Sequence, residues 1–178
     1  PVDVDLVGVS LMGMAPSTIM HLKYMAEKRG RSLRVEDVDV VGERIEDHRT
    51  VFRTGFEVFT ERYPEVTVVQ GQSACTGCTA HLVSAIKYVK ESGYGEQMTD
   101  LTVVIGTPGQ THVAGRVAAL GDCASRFRNV ASFAPGCPPS EEDMIRGICD
   151  ALQVDAGKVI DTKNQYRDLI WSAAGPYK

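Results

Sequence analysis

The chain carries five cysteines, and the spacing of four of them offers chemistry. Cys75 and Cys78 form a Cys-x-x-Cys pair, and Cys123 and Cys137 follow far along the chain. Four thiolates are the ligand set of a 4Fe–4S cluster. They can also hold zinc, but structural zinc sites usually pair two short knuckles, and here only the first pair is short. A third use needs only Cys75-Thr76-Gly77-Cys78: a dithiol at a helix start, where the unpaired N–H groups lower a thiol pKa. That use leaves Cys123 and Cys137 without a role. The expected site is therefore one 4Fe–4S cluster with Cys75, Cys78, Cys123 and Cys137 as its metal ligands. Cys149, beside Ile148 on an apolar helix face, is expected in the core.

The elements that must position these thiols follow from periodicity. Residues 66–69, 101–105, 117–120 and 130–133 are short apolar runs, each followed by glycine or Pro-Gly, and read as strands. Residues 79–92 and 140–152 show the 3.6-residue apolar repeat of helices, and a last helix is expected over about 164–171. Strands alternating with helices predict an α/β fold with a parallel sheet flanked by helices. Cys75 and Cys78 then follow one strand, Cys123 another and Cys137 a third. The carboxyl ends of parallel strands lie on one edge, so distant cysteines can meet there. His81, Arg126 and Arg128 are placed to screen the negative charge of a cluster. The Gly-Thr-Pro-Gly turn at 106–109, with His112 after it, lacks the Lys-Ser/Thr of a phosphate-binding loop.

Upstream, the opening residues fit a helix or a strand. Pro16 and Ser17 precede a helix that ends at Gly30, Val38–Val41 reads as a strand, and residues 44–54 read as a linker. The expected organisation is a small helical N-terminal appendage over 1–50, the end of a truncated upstream domain, and an α/β cysteine-bearing domain over 51–178. Over 178 residues, 43% are hydrophobic, and the net charge of −4 argues against a sequence-independent grip on nucleic acid. No apolar run approaches the roughly 20 residues of a membrane span. An odd number of cysteines in a chain able to build its own core indicates reduced thiols and a cytoplasmic setting.

Three segments resemble a known set: Ala-Cys-Thr-Gly-Cys at 74–78, Leu-Gly-Asp-Cys-Ala-Ser at 120–125, and Ala-Pro-Gly-Cys-Pro-Pro-Ser-Glu-Glu-Asp-Met at 134–144. They resemble the 4Fe–4S-binding small subunit of nickel–iron hydrogenases and the related subunit of respiratory complex I. The resemblance covers about residues 65–152; it implies the same four cysteine ligands and a flavodoxin-like fold. Residues 1–50 resemble the end of domain-of-unknown-function family 362. Nothing like a nickel-binding large subunit is visible, so hydrogenase activity does not carry over. The expected function is one-electron transfer by a cluster-binding module, with a protein redox partner. The alternatives are a structural zinc or cluster domain serving as an interaction platform, and a Cys-x-x-Cys thiol–disulfide oxidoreductase. No general acid, base or further nucleophile stands beside the cysteines.

Overall fold

A computed structural model describes residues 2–109 and 112–169 in full and the backbone of 170–174. The chain divides into two compact units, Pro1–Glu57 and Val58–Lys178.

The first unit is helical. Helix α1 (Val2–Leu11) places Val2, Leu6 and Val9 on one side, where they pack with Leu22 of α2 (Met20–Arg29) and with Ile19, Met25, Leu33 and Val38. Gly30 closes α2 in the left-handed conformation, and Arg31 grips the Asp3 carboxylate through both terminal nitrogens, at 2.6 and 3.3 Å. The strand expected over Val38–Val41 does not form. Val38 joins the small core, but Val41 is 91% exposed, and no neighbouring strand bonds the backbone there. A β-branched run is a strand only when a partner takes up its N–H and C=O groups. A short helix, α3 (Ile45–His48), interrupts the segment expected to be a linker. Helix α4 (Gly55–Arg62) begins in this unit and ends in the next.

The second unit has the flavodoxin-like α/β arrangement. Its four strands, β1 (Val66–Gln70), β2 (Leu101–Ile105), β3 (Arg116–Leu120) and β4 (Ser132–Ala134), are all parallel and pair in chain order. Every residue of the central β2 is buried, which is why it reads as an unbroken apolar run. Helices α5 (Thr76–Val89) and α6 (Glu141–Leu152) pack on each other, and α6 also packs on β3 and β4. Gly147 lets α6 come close: a Cβ there would lie 3.1 Å from Ala134 Cβ and 3.2 Å from Leu120 Cδ2. Strand alternation puts Val104, Val117 and Ala119 on the opposite face, under Ala124 and Phe127 of a 3₁₀ segment (Asp122–Phe127). Helix α7 (Ala156–Ala174) is longer than its expected range and starts beside Asp155, whose Oδ1 accepts from the Gly157 N–H at 2.8 Å. Among the described residues, no helix is long and apolar enough to cross a membrane.

Ile148 lies fully buried on α6. Ile148→Ala should destabilise the protein by about 2–5 kcal/mol, through lost burial and the residual cavity. A lowered urea midpoint at unchanged slope would register this.

Candidate functional site

The loops leaving the four strands meet along the carboxyl edge of the sheet. Gly71 N–H donates to Ile105 O at 2.8 Å, tying the end of β1 to the end of β2. Gly121 N–H donates to Ala134 O at 2.8 Å, tying β3 to β4. The Ser73 and Thr107 hydroxyls bond each other at 2.7 Å, and the Thr107 hydroxyl donates to Cys123 O at 3.4 Å.

Cys75 is the residue before the first turn of α5. Its backbone is extended (φ −94°, ψ 167°), and its carbonyl accepts from the Thr79 N–H at 3.1 Å and the Thr79 hydroxyl at 3.3 Å. Its own side chain stands at the helix N-terminus, where the first N–H groups lack intrahelical acceptors. The Cys78 N–H is the main cause that holds the Cys75 thiol below its ordinary value; weaker lowering comes from the Cys78 thiol and the N–H groups of Gly77 and Cys75, against a modest opposing desolvation. Cys75 is exposed and Cys78 buried. Burial, then the hydrogen bond and charge of Cys75, push the Cys78 thiol up to about 11, with a smaller push from Cys123. The result is an asymmetric pair: ionisation is favoured at the outer sulfur and disfavoured at the inner one.

The remaining cysteines stand apart from this pair in environment. Cys123 is half-buried in the 3₁₀ segment, Cys137 is exposed on the loop after β4, and Cys149 is wholly buried in α6. Burial, aided by Asp150 and Asp155, pushes Cys149 up to about 12.

The cluster expected on Cys75, Cys78, Cys123 and Cys137 is not upheld. Among the described residues, no group of three or more His, Cys, Asp or Glu side chains is placed to hold a metal ion. The same finding overturns the structural zinc reading. Sharing a sheet edge brings loops together, but coordination also requires every sulfur to converge on one point at about 2.3 Å from a zinc ion. The four thiols instead occupy different depths, Cys75 and Cys137 exposed, Cys123 half-buried and Cys78 buried. The charge-screening roles expected of nearby cations also differ. His81 Nδ1 lies 2.8 Å from Pro139 O, and since a carbonyl only accepts, Nδ1 carries the proton. Arg126 and Arg128 stack on the rings of Phe127 and Phe133, at 4.9 and 4.7 Å from the ring centroids.

The contacts that Asp122 makes along the rim escaped the sequence reading. The Asp122 N–H donates to Gly136 O at 2.9 Å, and the Gly136 N–H donates back to Asp122 Oδ1 at 3.0 Å. This clamp joins the loop that carries Cys123 to the loop that carries Cys137. Pro138 lies over the Cys-x-x-Cys turn: a Cβ on Gly77 would come within 2.9 Å of Pro138 Cγ and 3.7 Å of Cys75 Sγ. Gly77 is thus required by close approach, and this was the available sequence signal.

Comparison with family models, curated proteins and solved structures finds no match. The resemblance to the hydrogenase and complex I subunits is overturned, because it rests on a metal-holding cysteine set that the described residues do not form. The resemblance of residues 1–50 to domain-of-unknown-function family 362 is not upheld either, since no family model matches.

Alkylation should separate the three thiol environments, because the thiolate is the reactive form. In native reduced protein followed by mass spectrometry against pH, Cys75 should react with an inflection below that of a free thiol. Cys78 should react only as pH approaches about 11. Cys149 should stay unmodified until denaturant is added.

Proposed function

We propose that this chain is a thiol–disulfide oxidoreductase whose chemistry runs on Cys75 and Cys78. The observation that carries the reading is the arrangement of the pair: an exposed cysteine at the N-cap position of a fourteen-residue helix and a buried one in its first turn. Disulfide exchange needs an accessible thiolate that attacks and a second thiol that resolves.

The steps follow from the geometry. The Cys75 thiolate attacks one sulfur of a substrate disulfide, an S–S bond breaks, and the other substrate sulfur leaves as a thiolate that takes up a proton. Cys75 is then held in a mixed disulfide and has lost its charge. With that charge and its hydrogen bond gone, two of the influences that kept Cys78 protonated are removed. Cys78 gives up its proton and attacks the Cys75 sulfur, and the second substrate thiolate departs and is protonated. Two electrons and two protons pass from the dithiol to the substrate, which leaves as two thiols. The reverse sequence oxidises a substrate dithiol.

The surroundings support a protein or peptide partner. Gln72, Ser73, Thr76, Thr107, Cys137 and Pro138 are all exposed and uncharged, so they offer hydrogen bonds and contact area to a partner chain. The net charge of −4 gives no support to a nucleic-acid partner. All five cysteines are free thiols, which suits a reducing, cytoplasmic setting.

Turnover of insulin disulfides tests the proposal. Cys75→Ser should abolish reduction, and Cys78→Ser should accumulate the mixed disulfide because nothing resolves it. Cys123→Ser and Cys137→Ser should keep activity within about threefold, a change too small for loss of a reacting group. Activity that survives in Cys75→Ser would sink the reading.

A further inference from the structure

We propose that His81 is a positioning residue for the Cys75–Cys78 couple, acting through the loop Gly136–Pro139; the inference rests on the dithiol reading above. His81 lies three residues beyond Cys78 on α5, half-buried, and its Nδ1–H donates to Pro139 O at 2.8 Å. The other end of the same loop is held by the reciprocal bonds between Asp122 and Gly136, at 2.9 and 3.0 Å. Between the two anchors, the Pro138 ring sits on Gly77, on the side that also faces Cys75 Sγ. Gly77 and Cys78 stand in the first turn of α5, directly after Cys75 at the N-cap, and their backbone N–H groups favour the Cys75 thiolate. The loop therefore presses on the turn whose backbone stabilises the reduced, ionised form of the nucleophile.

The two anchors differ in what they tie together. Asp122 joins two rim loops. His81 joins the rim loop to the helix that carries both thiols, so its bond fixes Pro138 relative to the dithiol itself. With that bond gone, Pro138 can lift from Gly77, and the first turn of α5 is no longer held in place beside Cys75. Fixed donors favour the thiolate, and stabilising the reduced form raises a couple's reduction potential. Loosening them should make the disulfide form more stable.

The test is a redox titration of the full chain against glutathione, reading the Cys75–Cys78 disulfide by mass spectrometry. His81→Ala should move the equilibrium constant about tenfold toward the disulfide, equivalent to about 30 mV for a two-electron couple. His81→Asn, whose side-chain amide can still donate toward Pro139 O, should return to within about threefold of wild type. Asp122→Ala, which frees the loop at its other end, should shift the constant in the same direction as His81→Ala. An unmoved constant in His81→Ala, even with a lowered melting temperature, would mean that His81 only supports the fold. An Asn variant that behaves like the Ala variant would also overturn the inference. If the wild-type chain forms no Cys75–Cys78 disulfide, the dithiol reading fails and this inference with it; a normal wild-type couple with unmoved variants removes this inference alone.

Discussion

The first N–H groups of an α-helix have no carbonyl of their own helix to bond, and at the start of α5 the residue at the N-cap carries a thiol. Cys75 occupies the capping position that Ser, Thr, Asp or Asn more often fills. A hydroxyl or carboxylate there would satisfy the helix and stop. A thiol is a weaker acceptor until it ionises, so the same donors that complete the helix also favour the thiolate. The preference depends on where the donors are held, because a rotation of the first turn would carry them away from the sulfur. Much of the second unit can be understood as fixing that turn.

The parallel sheet supplies the first constraint. Its strands pair in chain order, so the loops that leave their carboxyl ends are neighbours in space as well as in sequence. α5 follows β1, buries Leu82, Ala85, Ile86 and Val89, and packs against α6, so its axis is set by core contacts. The rim supplies the second constraint. The loop after β4 passes over the beginning of α5 before it enters α6, which opens with the Ser140 hydroxyl accepting from the Asp143 N–H at 3.1 Å. Two helix starts therefore share one edge, joined by Pro138 on Gly77 and by His81 on Pro139. The apolar core places the helix, and polar contacts at the rim place its first turn.

Legibility in the sequence followed the source of each constraint. The run Leu101–Ile105 was readable to the residue, because a strand buried on both faces must be apolar throughout. The β4 strand was displaced: Val130 is apolar but 68% exposed, and pairing with β3 begins only at Ser132. Val38–Val41 had strand composition without a partner, and partners are a tertiary property. The apolar repeat places the start of α5 at Thr79; the helix begins at Thr76, ahead of its apolar face, which brings Cys78 inside the first turn and creates the asymmetry of the pair. The rim contacts of Asp122, His81 and Pro138 were not readable. Each depends on a side-chain direction across 14 or more residues of chain, and none leaves a local pattern.

The cysteine placement shows why topology and coordination are separate questions. Strand ends on one edge explain how Cys75, Cys78, Cys123 and Cys137 come to the same rim, but not at what depth or toward what each sulfur points. Depth is decided locally: Cys78 is covered by the packing of α5, whereas Cys75 and Cys137 lie outside that packing on exposed loop backbone. Burial disfavours the thiolate, so a set spread from buried to exposed ionises unevenly. A metal centre needs all of its thiols as thiolates around one point. A dithiol exchanger needs the opposite condition, one sulfur ionised and its partner protonated. The difference in depth that sets Cys78 apart from Cys75 is what suits them to exchange.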